Sequence, residues 1–331
     1  MFYLGVMLII LVGFLSISGL LVLVRILKFI PKTLEDSVKV TNLNRKYKKI
    51  TSSIQDVISD IKKTKAEKLT LIKNPEPISN SKVFYISFKG DVMAKNVEKL
   101  REEISVVLGV ANSGDEVLLS LESPGGIVHG YGLAASQLER VKAAGLKLTI
   151  CVDRCAASGG YMMACVADEI VAAPFAILGS IGVVMEYPNF YELLDKVGVK
   201  YHQLTAGKYK RTISPYLKPS EEGTEKAKVD LARTHDLFKS HISKHRPKLD
   251  IEKVATGETW YGSECVENGL IDRLATSDEV LFERMKSVTV FRVEHKESKK
   301  PTKLLSSLVS DVTINILDKF LDRIHESKLL K

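Results

Sequence analysis

The stretch AASGGYMMACVADEI, residues 156–170, is the part of this sequence on which the fold and its chemistry depend. It follows LKLTICV (146–152), which is rich in β-forming residues, whereas 161–171 has few helix breakers. A strand is therefore predicted to pass into a helix near Ser158, where N–H groups and the helix dipole favour an oxyanion. Ser158 could instead be an ordinary helix cap, but a cap does not explain the two glycines that follow it.

A second glycine turn lies upstream of this stretch. DEVLLSLESPGG predicts a strand over 116–122 that leads into the turn, and a helix follows over 127–144. An alternating strand at 82–90 precedes both, so strand, turn and helix recur in order along the chain. This order predicts an α/β fold with parallel strands and crossover helices.

The two turns together could stabilise a tetrahedral intermediate. Such an intermediate needs two backbone N–H donors aimed at its oxyanion. Gly126, at the end of the upstream turn, and Gly159, directly after the serine, are predicted to supply them. Ser158 is therefore a candidate nucleophile.

A serine hydroxyl needs a base to become nucleophilic at neutral pH. Three histidines lie along a helix with many charges and are predicted to be solvated rather than to act as the base: His235, His241 and His245. A desolvated lysine can act instead, because burial and nearby cations lower the pKa of a lysine. The segment TAGKYKRTISP offers Lys208 and Lys210. As strand residues two apart they would share a face, so spacing does not choose between them.

Composition limits the classes of function. The chain has 331 residues, 45% of them hydrophobic, which is enough to bury one sizeable core. Its formal charge of +8 is concentrated in residues 25–68, which hold 12 Lys/Arg and 5 Asp/Glu, so the body is nearly neutral and a general nucleic-acid partner is not expected. The cysteines lack metal-ligand spacing and are predicted to be buried free thiols: Cys151, Cys155, Cys165 and Cys265.

The first residues of the chain predict attachment to a membrane. Residues 2–24 carry no charge and are long enough to cross a bilayer, so 1–30 is predicted to be an uncleaved transmembrane anchor rather than a signal peptide. Residues 31–80 are predicted to be a basic helical tether, with a heptad seam that fits a short coiled coil or a helix lying on lipid or on the body. The body spans 81–294, and 295–331 is predicted to be an amphipathic helix.

Four blocks of the sequence look like the corresponding blocks of one family: LESPGGIVHGYG, AASGGYMMACVAD, PFAILGSIGVV and GKYKR. They resemble the signal peptide peptidase A (protease IV) family, and VHGYGLAASQLERVK and VATGETWYG look most like its SohB branch. The resemblance implies a membrane-anchored Ser/Lys-dyad serine endopeptidase with a ClpP/crotonase-like fold and a homo-oligomeric assembly. It implies no cofactor and no metal.

The resemblance also assigns roles to residues. The catalytic dyad of the family corresponds to Ser158 and Lys210, so the resemblance selects Lys210 rather than Lys208 as the general base. The other matching positions are the two oxyanion donors and a serine that orients the lysine: Gly126, Gly159 and Ser180. Substrates would be hydrophobic or unfolded peptides, such as signal-peptide remnants. The candidate groove residues are apolar: Phe175, Ile177, Leu178, Ile181, Val183 and Val184.

The sequence leaves alternatives open for the side of the membrane on which the body lies and for the activity of the protein. Family members act on the periplasmic face of the bacterial inner membrane, whereas the positive charges that follow residues 2–24 favour a cytoplasmic body. The same glycine pair could also serve a crotonase-like enzyme that acts on acyl thioesters. A third possibility is an inactive protease-like membrane scaffold that binds unfolded segments.

Overall fold

The computed structural model describes residues 37–61 and 81–296, and Val38–His295 form one compact unit. The predicted anchor (1–30), residues 31–36 and 62–80 of the tether, and residues 297–331 of the tail lie outside the described residues. None of the helices in the described part of the chain combines the length and the apolar character that crossing a bilayer requires.

A parallel sheet forms the centre of the unit. The described strands are, in chain order, β1 (Ser37–Asn42), β2 (Lys82–Lys89), β3 (Glu116–Glu122), β4 (Lys147–Val152), β5 (Cys155–Ala157), β6 (Glu169–Ala172), β7 (Ile177–Gly179), β8 (Thr259–Tyr261), β9 (Arg273–Leu274) and β10 (Thr289–Lys296). The main sheet has the order β1-β10-β2-β3-β4-β6-β9, and each pair from β10 to β9 is parallel. The predicted parallel α/β layout is confirmed. A small second sheet has the order β5-β7-β8.

Helices connect the strands. They are α1 (Leu43–Ile61), α2 (Val97–Val110), α3 (Val128–Ala143), α4 (Gly159–Ala164), α5 (Tyr191–Lys196), α6 (Glu221–His245), α7 (Ile251–Val254), α8 (Gly262–Cys265) and α9 (Ser277–Met285). Crossovers through α2 and α3 join β2 to β3 and β3 to β4, as the sequence predicts. These connections bring the carboxyl ends of the strands to one edge of the sheet.

Apolar side chains alternate between the two faces of the sheet. On β2, Phe84 and Ile86 pack in the larger core cluster, to which α2, α3, α4 and α6 contribute. Val83 and Tyr85 point the other way and pack with residues of α1 and α9. Both faces are therefore covered, which explains why the strands are almost uniformly apolar.

Part of the predicted tether belongs to the folded unit. Strand β1 pairs with β10 at the edge of the main sheet, and Leu43, at the start of α1, is buried with 3% exposure. Residues 37–42 form this strand, so the prediction of a helical tether is wrong for them. Asn44 holds this junction, because its side chain accepts the Val290 N–H at 2.7 Å.

The helix after Ser158 is shorter than predicted. Helix α4 ends at Ala164, and Glu169–Ala172 form β6, so the expectation of one helix over 161–171 is wrong. Ile170 and Val171 are β-branched and pair with β4, where they are completely buried. Pairing inside the sheet outweighs the weak helical preference of this segment.

Candidate active site

Ser158 lies between β5 and α4 in a strained backbone conformation, with φ 52° and ψ −118°. Non-glycine residues rarely adopt positive φ, and strain of this kind costs about 1–3 kcal/mol. The side chain is half-buried and makes no capping hydrogen bond to the helix. The helix-cap interpretation is therefore wrong, because a capping side chain accepts an N–H from the first turn.

The upstream turn, residues 123–126, lies directly against this serine. The Ser123 N–H donates to the backbone of β5 at 2.8 Å. A Cβ added to Gly125 would lie 2.7 Å from both Ser158 Cβ and the Gly159 nitrogen. Only glycine allows the turn to approach the serine this closely.

Both predicted oxyanion donors have free amides. The Gly126 N–H has no acceptor among the described residues, whereas the Gly125 N–H donates to Ser123 Oγ at 3.1 Å. Gly159 opens α4, so its N–H has no acceptor within the helix. Because α4 has only 6 residues, its dipole is small, and these two amides would provide most of the stabilisation of an oxyanion.

A buried chain of hydrogen bonds holds the upstream turn. Ser123 Oγ donates to Tyr131 Oη at 2.6 Å, and Tyr131 Oη donates to the Asp91 carbonyl oxygen at 2.9 Å. Burial raises the pKa of the Tyr131 phenol, so it stays protonated at neutral pH and remains a donor. A Cβ on Gly159 would lie 2.4 Å from the Tyr131 ring, so the tyrosine also supports the start of α4.

Ser123 and Tyr131 were not among the predicted site residues. The turn motif itself contained a signal, because a serine that opens a Gly-containing turn often hydrogen-bonds the backbone two residues later. Tyr131 gave no comparable signal, since a tyrosine on the inner face of a helix is usually a core residue.

Strand register places a second serine beside Ser158. Strands β5 and β7 are parallel with Ala157 opposite Gly179, and the Ser158 N–H donates to the Gly179 carbonyl oxygen at 2.8 Å. Ser158 and Ser180 therefore follow neighbouring strands at the same edge. Ser180 also has positive φ, 49°. The structure brings these two predicted site residues together.

The two candidate lysines differ in their partners. Lys208 Nζ lies 2.7 Å from Glu222 Oε1, and this hydrogen bond raises the pKa of Lys208. Lys210 is exposed, and its side chain has no hydrogen bond or ion pair with a described residue, Ser158 included. Both lysines lie in 197–220, which contains no strand, so the expectation that they share a strand face is wrong. Lys210 Nζ and Ser158 Oγ are therefore not hydrogen-bonded to each other.

The histidines of α6 face the body, so the prediction that they are solvated is wrong. Each ring is half-buried, and its Nε2 lies within hydrogen-bonding distance of one oxygen atom. The distances are 3.2 Å from His235 to the Ile181 carbonyl oxygen, 3.0 Å from His241 to the Met162 carbonyl oxygen and 2.9 Å from His245 to Glu139 Oε1. They share the inner side of α6 with the buried Phe238 and Ile242, which dock the helix. Within the described residues, no histidine hydrogen-bonds Ser158.

The candidate groove residues divide into two groups. Leu178 and Ile181 are completely buried in the larger core cluster. Phe175, Val184 and Ile177 are 85%, 77% and 39% exposed, and Val183 is half-buried. An apolar substrate could therefore contact the second group, whereas the first group serves the core.

Two family descriptions match the chain: Peptidase family S49 N-terminal over residues 1–138, and Peptidase family S49 over residues 140–290. The chain is 48% identical over 252 residues to a probable protease SohB of Haemophilus influenzae, covering 75% of this chain and 71% of that protein. It is 42% identical over 304 residues to a probable protease SohB of Buchnera aphidicola subsp. Schizaphis graminum, covering 87% of this chain and 88% of the relative.

A more distant relative is Protease 4 of Haemophilus influenzae, 29% identical over 196 residues, which are 58% of this chain and 30% of that protein. The chain therefore belongs to peptidase family S49, and the resemblance drawn from the four sequence blocks is confirmed. Membership of this family identifies a hydrolase that cleaves peptide bonds.

Proposed function

We propose that this S49 peptidase is a serine endopeptidase with Ser158 as nucleophile and Lys210 as general base. The observation that carries the proposal is the strained, uncapped Ser158 with the glycine turn packed against it. The free N–H groups of Gly126 and Gly159 support their role as oxyanion donors. The position of Ser180 supports its role in orienting the lysine ammonium.

The proposed reaction has two stages. Neutral Lys210 accepts the proton of Ser158 Oγ as this oxygen attacks the substrate carbonyl carbon, and the two glycine amides hold the resulting oxyanion. The lysine ammonium then gives its proton to the leaving amine, and an acyl-enzyme remains. Water, deprotonated by the same lysine, attacks the acyl carbon, and the lysine ammonium returns the proton to Ser158 Oγ as the bond to the peptide acid breaks.

The exposed position of Lys210 requires a conformational change. We propose that segment 197–220 closes over Ser158 when a peptide occupies the groove, which would remove water from the amine and favour its neutral form. Lys208 is a poorer candidate, because Glu222 holds it as a charged ammonium. Hydrophobic or unfolded peptides, such as signal-peptide remnants, suit the exposed apolar side chains of the groove.

The proposal extends to the finer fold and to location. We assign a ClpP/crotonase-like architecture to the body, a single-pass inner-membrane anchor to residues 2–24, and a homo-oligomeric assembly. The anchor is supported by the absence of charge in that segment. The assignment divides the chain into an anchor (1–30), a tether (31–80), a body (81–294) and a C-terminal helix (295–331).

Replacing the nucleophile tests the function. Ser158→Ala should abolish cleavage of an unfolded hydrophobic peptide, with Ser136→Ala, on the exposed side of α3, as the matched control. The same variants are assayed on an acyl thioester. Thioester cleavage that persists in Ser158→Ala would indicate the crotonase-like alternative. A parent chain that binds but never cleaves the peptide would indicate a scaffold.

A further inference from the structure

A cluster of metal-ligating side chains lies where α3 and α6 pack together, apart from the proposed dyad. Glu139 comes from α3, and His241 and His245 come from successive turns of α6. One ligand atom from each lies within 4.8 Å of the other two. All three side chains are half-buried.

The tautomer of His241 is fixed by its surroundings. Its Nε2 lies 3.0 Å from the Met162 carbonyl oxygen. A carbonyl oxygen only accepts, so Nε2 carries the proton and Nδ1 of the neutral ring keeps its lone pair. Histidines that bind metals commonly donate their second ring N–H to a carbonyl or carboxylate oxygen in this way, and that bond orients the ring.

The other two groups face each other, because His245 Nε2 lies 2.9 Å from Glu139 Oε1. Both Lys244 and His245 bond to Oε1 of Glu139, so Oε2 has no hydrogen-bond partner among the described residues.

We propose that Glu139, His241 and His245 bind a divalent transition metal of the Zn²⁺ type at the α3–α6 interface. With bonds of about 2.0–2.2 Å, ligands of a tetrahedral site lie about 3.4 Å apart, so the side chains have to close by roughly 1 Å. Two imidazoles and a carboxylate leave a fourth position for water. The metal would join α3 to α6 and, through Met162, to the helix that follows Ser158.

The test uses the untagged full-length chain, freed of metal by chelation. Calorimetric titration should detect one Zn²⁺ per chain, and Co²⁺ should give the visible absorption of a tetrahedral site. His241→Ala and His245→Gln should each weaken Zn²⁺ binding by at least about 100-fold, since losing even a hydrogen-bonding partner of a ligand costs 10–100-fold. The glutamine of His245→Gln can still donate a hydrogen bond to Glu139. If the cluster is only a hydrogen-bonded network without metal, this variant should therefore behave as the parent does.

Two further variants complete the test. His235→Gln, on the same helix but outside the cluster, should bind Zn²⁺ as the parent does. Lys244→Ala should bind it more tightly, because a competing cation is removed from Glu139. Binding that is absent in the parent, or equal in the parent, His241→Ala and His245→Gln, would overturn the proposal. These readouts do not depend on peptidase activity.

Discussion

At the scale of single residues, close approach of backbone segments explains the glycines around Ser158. Gly125 places the upstream turn against the serine, and Gly159 makes room for the Tyr131 ring. The sequence predicted that a turn would face Ser158, because two glycine turns follow neighbouring strands. It could not predict the positive φ of Ser158, which depends on hydrogen bonds to β7 and on packing against the turn.

Gly125→Ala should abolish most activity, because the new Cβ would lie 2.7 Å from Ser158 Cβ and from the Gly159 nitrogen. Gly114→Ala is the matched control: its φ is 90°, close to the 88° of Gly125, but nothing lies within 4 Å of its Cβ position. Both variants should lose about 1 kcal/mol of stability from backbone strain. Steady-state kinetics should separate them, and equal kcat/KM values would contradict the role of the turn.

At the scale of elements, the predictions succeeded where the apolar pattern is strong. Strands β2, β3 and β4 lie within one residue of their predicted limits, because each is rich in apolar β-forming residues and ends at a turn or loop. The helix after Ser158 was predicted to extend too far, into residues that form β6, since periodicity does not distinguish a short buried strand from a helix. The three-stranded sheet was not predicted, because β8 follows β7 only after a long insertion.

The link between α3 and the upstream turn can be tested with Tyr131→Phe. The change removes the hydroxyl that accepts from Ser123 and donates to the Asp91 carbonyl oxygen. Leaving these buried groups unpaired should cost about 1–3 kcal/mol, measured by urea unfolding. kcat should fall while KM changes little, because the turn loses its support. Tyr201→Phe, on the exposed segment, serves as control, and an unchanged kcat in Tyr131→Phe would contradict the link.

At the scale of the whole molecule, the carboxyl and amino ends of the strands in the main sheet carry different features. Ser158 and the upstream turn lie at the carboxyl edge, where loops leave the parallel strands. At the amino edge, Arg284 bonds Glu116 at 2.8 and 3.2 Å, and Arg273 bonds Glu169 at 2.8 Å. Strand order predicts the edge at which Ser158 lies, but these ion pairs join residues far apart in the chain and are not visible in the sequence. The exposed position of Lys210 was likewise not predictable, since this lysine lies in a loop without regular structure.

Arg284→Gln should therefore reduce stability and leave the chemistry unchanged. Glu116 is only 10% exposed, so losing its partner should cost about 1–3 kcal/mol, or a fall of about 2–10 °C in Tm. Lys253→Gln, which breaks an exposed pair with Asp250, should change stability by less than about 0.5 kcal/mol. Below Tm, kcat/KM should equal that of the parent in both variants. A stable Arg284→Gln protein without activity would contradict this separation.

The most direct test of the Ser158–Lys210 dyad is the rate of covalent labelling by a serine-directed phosphonate, with the modified residue identified by mass spectrometry. The parent chain should be labelled on Ser158. Lys210→Ala should be labelled about 10²–10⁴ times more slowly, the usual contribution of a general base, whereas Lys208→Ala should react at the parental rate. Labelling of Lys210→Ala at the parental rate, or of a residue other than Ser158, would contradict the proposed mechanism.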